Sequence, residues 1–257
     1  IAKFGLWFND RRIAIGIAIF FILTMIPMLL VAKYSHASAD DFGWGAGLRR
    51  QVWNETHSIV QFVKTAFQGT IRIYRIWQGT FTTTFIQAFQ PEIFNVHAYF
   101  IVPYIMLPFY LGGTAFLLHY LLVKILKIKK SVFTVVTMIY FLISIQYIPS
   151  TGEAFYWYNG AVAYTLAYSV MLFCLGFSLK YIFAEKKQDL IMASFTAFFV
   201  GGGNYLTVVL LPLLFILLLF LFTPSRKNTF YLLIPLVVFG VTAVVNMCAP
   251  GTKVRGG

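Results

Sequence analysis

Acidic side chains are scarce: Asp and Glu together number eight in 257 residues. Charged residues of both signs make up 11% and hydrophobic ones 60%. A soluble chain of this size could not cover that much apolar surface with so few charges, so a water-soluble globular domain is excluded. Cysteine is rarer still. Cys174 and Cys248 lie in or beside apolar runs, which excludes a disulfide framework and a cysteine metal site. His36, His57, His97 and His119 show no ligand spacing, and no metal is assigned to them. The period-2 alternation of a membrane barrel is also missing.

What is present is a series of long apolar runs, with a mean hydropathy of +0.79. A bilayer core needs about 20 apolar residues per helix, and backbone groups in lipid must be satisfied internally. The expectation is an all-α polytopic transmembrane helical bundle, a single domain over 1–257. About seven spans are expected by length, at 13–32, 97–123, 132–148, 161–183, 190–200, 206–222 and 230–247. The first run also reads as a signal peptide, because Ala37-Ser38-Ala39 resembles a cleavage site. It is longer than a usual signal core, however, and more spans follow. The chain begins with Ile1 and stops after a polar loop, so truncation at the C-terminal side is expected.

Residues 33–96 do not span. Within them Val52, Thr56, Ile59, Val60, Val63 and Phe67 recur at helical spacing, predicting an amphipathic helix at the membrane interface. The net charge is +12, yet no basic stripe interleaves with exposed aromatics, so nucleic acid is not an expected partner. The cations instead gather at helix ends: Lys3, Arg11 and Arg12, then Lys124 to Lys130, Lys180 to Lys187, and Arg226 with Lys227. The positive-inside bias then puts the N-terminus inside a plasma membrane crossed several times. Asp40, Asp41, Glu92, Glu153, Asn204 and Arg255 would all face outside.

Five polar stretches stand out. Ser38-Ala39-Asp40-Asp41-Phe42-Gly43-Trp44 holds two adjacent carboxylates, where one can serve as a general base. A solvated turn is the plainer reading. Trp77-Gln78-Gly79-Thr80-Phe81 offers an aromatic face for a sugar or an isoprenoid, or simple interfacial anchoring. Glu153-Ala154-Phe155-Tyr156-Trp157-Tyr158-Asn159-Gly160 combines an acid and an amide with four aromatics. Gly201-Gly202-Gly203-Asn204-Tyr205 breaks an apolar hairpin and allows close approach of backbone or ligand. Ala249-Pro250-Gly251-Thr252-Lys253-Val254-Arg255 places two cations beside a glycine, suited to phosphate or to snorkelling.

In this order the motifs resemble those of the GT-C superfamily of polytopic membrane glycosyltransferases, in the bacterial type that uses polyprenyl-phosphate sugars. The span count is below that usual for the family, which fits truncation. The resemblance implies transfer of a sugar from a polyprenyl-phosphate donor to a surface glycan or lipid-linked acceptor on the outer face. It implies inversion at the anomeric carbon, with Asp40 or Asp41 as base and no cofactor. Arg255, Lys253 and Arg75 would hold the donor phosphate. Trp77, Glu153, Tyr156, Trp157, Asn159 and Asn204 would line sugar or acceptor subsites. A transporter or lipid flippase is the alternative, favoured by the short glycine-interrupted segment at 190–206. Against it, no charged residue sits securely at the midpoint of a span.

Overall fold

The computed structural model describes residues 10–43, 45–223 and 227–256. Lys3, Trp44 and Arg226 lie outside the described residues, as does the side chain of Lys227. Helices dominate, and no strand occurs among the described residues. Among the described residues, five helical segments are long and apolar enough to cross a membrane. They are α1 (Asp10–Tyr34), α5 (Val96–Ile125), α7 (Tyr158–Ala184), α9 (Tyr205–Phe222) and α10 (Asn228–Met247). Two shorter helices pack in the same bundle, α6 (Lys130–Gln146) and α8 (Lys187–Gly201). The polar region between α1 and α5 forms α2 (Ala46–Thr56), α3 (Ile59–Ile76) and α4 (Phe81–Gln87), and α11 (Pro250–Gly256) closes the chain.

The bundle packs through small residues, as expected where lipid removes the hydrophobic drive between helices. A Cβ on Gly113 of α5 would lie 2.8 Å from the Ser169 carbonyl oxygen of α7. One on Gly201 of α8 would lie 2.0 Å from Thr242 Oγ1 of α10. So α8, though short, is wedged between α7 and α10, and α1 lies along α6. Tyr99, Val102, Met106, Phe141, Ile145 and Phe155 build one core, while Cys174, Leu179, Leu211, Phe215 and Phe239 build another. Leu206, Val209, Leu213, Ile216 and Phe220 on α9 remain exposed, a face suited to lipid rather than water.

The amphipathic stretch expected over 52–67 is two helices. The break falls at His57, in the left-handed region with φ 47°, and Ser58 caps α3 by accepting from the Gln61 amide at 3.4 Å. The buried face of α3 is Phe62, Ala66, Thr70 and Ile73, whereas Ile59, Val60 and Phe67 point outward. Periodicity located a helix here but could not say which side would meet protein.

Chain reversals bring all five polar stretches to one end of the bundle. Basic residues mark the other end, where Lys129 pairs with Asp10 at 3.7 Å and Lys180 with Asp189 at 2.7 Å.

Candidate functional site

The acidic pair divides into two different residues. After α1, Ala39 takes a left-handed conformation with φ 48°, unusual for a residue with a side chain. One turn of 3-10 helix, Ala39–Phe42, follows. It buries Asp41 completely and leaves Asp40 exposed.

Asp41 accepts hydrogen bonds from the Ser38 amide at 3.1 Å, the Asn159 amide at 3.2 Å and the Tyr99 hydroxyl. The same Tyr99 hydroxyl accepts from the Tyr158 amide at 2.8 Å. Trp157 Nε1 donates to the Ser38 carbonyl at 3.1 Å, and Gln87 Nε2 to the Asn159 carbonyl at 3.0 Å. The aromatic stretch 153–160 is thereby tied to the acidic turn. Burial pushes the Asp41 carboxyl above the usual carboxylate range, and the three hydrogen bonds pull it back only in part. Burial likewise raises Glu92, against the pull of Arg50, whose guanidinium lies 2.9 Å from it.

Asp40 faces a small polar cavity with Arg49, Thr70, Thr84, Gln87, Gln90 and Asn159. Its volume is about 10 Å³, room for roughly one water. Five polar residues on its walls are at least nine-tenths buried: Gln90 at 1% exposure, Arg49 at 4%, Asn159 at 5%, and Thr70 and Thr84 at 7%. Among the described residues Thr84 Oγ1, Gln90 Nε2 and Asn159 Oδ1 have no hydrogen-bond partner. Unpaired buried polar atoms cost about 1–3 kcal/mol each, a cost that one water-sized hydrogen-bonding group in the cavity would reduce. Burial pulls the neighbouring Arg49 guanidinium down to about 10.

Two larger cavities meet at Ser150 and Glu153. One, of about 870 Å³, is lined by Met28, Val31, Tyr34, Ser38, Ala39, Tyr156 and Trp157. The other, of about 490 Å³, enters the bundle past Asn204, Tyr110, Tyr140 and Tyr168. The turn 38–40 separates the 870 Å³ groove from the small polar cavity. Expected subsite residues Glu153, Tyr156 and Trp157 thus share one groove. Tyr156 also donates to the Met28 carbonyl at 2.8 Å. Asn204 accepts from the Leu206 amide at 2.8 Å, capping α9.

The other three stretches come together elsewhere at this end, in a tight joint. Gly79 lies so close to α10 that a Cβ would sit 1.7 Å from the Asn246 carbonyl oxygen. Gly251 also packs tightly against the end of α3, with a Cβ 2.4 Å from the Trp77 amide. Asn246 Nδ2 donates to the carbonyls of Gly201 at 3.0 Å and Gly203 at 2.9 Å. The Thr82 amide donates to the Gly202 carbonyl at 3.0 Å. Arg255 donates to Gln78 Oε1 at 3.2 Å and lies 4.9 Å from the centre of the Trp77 ring. Trp77 and Arg255, expected to touch sugar and phosphate, therefore touch each other. Lys253 and Arg75 are exposed.

Residue-type reasoning missed Tyr99, Arg49, Thr84 and Gln90. Tyr99 reads as an interfacial aromatic, and Thr84 and Gln90 carry no spacing signal. Arg49 alone had a clue, a cation eight residues after the acidic pair.

Comparison of the chain with protein families, with curated proteins and with solved structures finds no match.

Proposed function

We propose that the protein is a membrane-embedded glycosyltransferase taking its sugar from a polyprenyl-phosphate donor. The observation that carries this reading is the polar cavity beside Asp40. An exposed carboxylate lies beside a cavity whose buried, unpartnered amide and hydroxyl groups would hydrogen-bond one sugar hydroxyl, the most that about 10 Å³ admits. In this reading Asp40 is the general base and Asp41 holds the turn that aims it. Asp40 takes the acceptor hydroxyl's proton as that oxygen bonds to the anomeric carbon. The bond from that carbon to the phosphate oxygen breaks, and its electron pair leaves with polyprenyl phosphate. Cations near the leaving oxygen stabilise the developing charge. The acceptor approaches from the groove of Glu153, Tyr156 and Trp157, around the turn 38–40 that carries Asp40.

The topology is part of the proposal. Helices α6 and α8 complete seven crossings, and α2 and α3 lie at the interface with Val60 and Phe67 in the headgroup region. The basic end faces inside and the Asp40 end faces outside.

The test is sugar transfer in membranes from polyprenyl-phosphate sugars, with wild type, Asp40→Asn and Asp41→Asn inserted equally. Release of polyprenyl phosphate that is lost in Asp40→Asn is the expected result. Release at the wild-type rate in Asp40→Asn, or none from any donor, overturns the reading. The 490 Å³ cavity lined by Tyr110, Tyr140 and Tyr168 within the bundle favours transport as the second reading, tested by solute flux in liposomes.

A further inference from the structure

A cleft between α2 and α3 adjoins the polar cavity through Arg49 and Gly69, which line both. It holds about 380 Å³, and its walls carry Arg49 and Arg72 with Thr65 and Gln68. Its α3 wall is one helical face, since 65, 68, 69, 72, 73 and 76 repeat at three and four residues. The remaining lining is apolar: Leu48, Ile73 and Ile76. Leu48 and Ile76 are exposed at 58% and 47%, so a greasy rim leads into a cationic floor.

Two glycines border this floor. The Arg49 Nη1 atom lies 3.4 Å from where a Gly45 Cβ would be and 3.7 Å from where a Gly69 Cβ would be. Gly45 also has φ 84°, where a side chain would be strained. The Arg49 guanidinium therefore sits in a slot with no side chain on these two neighbours. Arg49 is 4% exposed while Arg72 stands exposed across the cleft. Among the described residues Arg72 makes no ion pair. Guanidinium groups bind phosphate oxygens through paired donors, and desolvation strengthens that attraction.

We propose that this cleft binds the phosphate of an amphipathic ligand, between Arg49 and Arg72, with its apolar chain over Leu48, Ile73 and Ile76. The proposal rests on the transferase reading in taking the ligand to be the sugar donor. The donor's sugar then lies past Gly69 beside the cavity of Asp40, Thr84, Gln90 and Asn159, which takes no more than one of its hydroxyls. The assignment moves the donor phosphate away from Arg255, whose guanidinium is engaged with Gln78 and Trp77.

The experiment measures binding of a long-chain polyprenyl phosphate to the full chain in lipid nanodiscs. Uncharged polyprenol and inorganic phosphate serve as competitors. Arg72→Gln is the main variant, because Arg72 is exposed and the fold does not depend on burying it. Lys64→Gln, exposed on the same helix but outside the cleft lining, is the control. The expected loss in Arg72→Gln is roughly tenfold to hundredfold, as for one charge-assisted contact, with Lys64→Gln unchanged and polyprenol a poor competitor. Weak competition by inorganic phosphate identifies a lipid-borne phosphate, and strong competition a free anion; both support a phosphate site. Unchanged binding in Arg72→Gln, equal loss in Lys64→Gln, or polyprenol binding as tightly as its phosphate overturns the proposal. Binding lost in Arg72→Gln with no transfer by the wild type keeps the cleft and removes the transferase. Transfer with an unaltered KM in Arg72→Gln does the opposite.

Discussion

At the scale of single residues, two adjacent aspartates have opposite surroundings and should fail in opposite ways. Among the described residues the Asp40 side chain makes no hydrogen bond or ion pair, so Asp40→Asn should leave the melting temperature within a degree or two and, on the proposed transferase reading, lower kcat by roughly 10²–10⁴. Donor binding should change little, and steady-state kinetics beside a thermal melt would separate the two effects. Asp41 receives two backbone amides and the Tyr99 hydroxyl, and no water reaches it. Replacing it by Ala strands those donors in the interior and should cost about 1–3 kcal/mol per stranded group. An Asp41→Ala protein as stable as wild type in detergent would show that the turn is held by something else.

At the scale of elements, glycines act as joints. The contact of Gly79 with α10 and of Gly251 with the end of α3 leaves no room for a methyl group. Gly79→Ala should therefore destabilise by ~3 kcal/mol through overpacking. Gly240, inside α10, has nothing within 4 Å of a built Cβ. Gly240→Ala should be neutral or stabilise by up to about 1 kcal/mol through backbone entropy. Melts of the two variants under one condition would decide it, and similar values would remove the joint. The aromatic stretch behaves differently. Its chain runs through two wide π-helical turns, Gly152–Tyr156 and Val162–Leu166, which flank the residues that grip the acidic turn. Such turns depart from regular hydrogen bonding and often lie at functional sites. Here they let Trp157, Tyr158 and Asn159 face Ser38, Tyr99 and Asp41.

At the scale of the whole molecule, the polar end contains two buried carboxylates whose protonated forms the fold favours. Asp41 and Glu92 are both raised by burial. The folded state therefore binds more protons than the unfolded chain above the ordinary carboxylate value of about 4. Stability from these groups is largest below that value, falls as pH rises through the window, and levels off above the raised folded values. Asp41→Asn should flatten this part of the pH profile, which melts between acidic and neutral pH would follow. The placement of this end relative to the membrane is a separate matter. With the basic end inside, a cysteine at exposed Val254 should react with an impermeant maleimide added outside. One at exposed Lys129 should react only after permeabilisation. The reverse pattern would invert the topology and put the Asp40 cavity in the cytoplasm.

The sequence alone determined the solvent and the element type. Apolar runs this long leave a backbone no choice but helix, whatever packs beside them, and the shortage of charge rules out water as the surrounding medium. It also picked out the stretches that gather at one end, because polar groups in such a chain must sit where the apolar runs stop. What it could not decide is which of those groups face a cavity and which face one another. Asp40 and Asp41 are chemically identical, and a left-handed Ala39 with a hydroxyl from Tyr99, 58 residues away, sorts one into the core and the other to the surface. Gly79, Gly201 and Gly251 likewise gave no sign that they would meet in one joint. Nor did Arg49, Thr84, Gln90 and Asn159 signal that they would line one cavity. These relations join distant parts of the chain through contacts of a few ångströms, and only the packing of the helices brings them within reach.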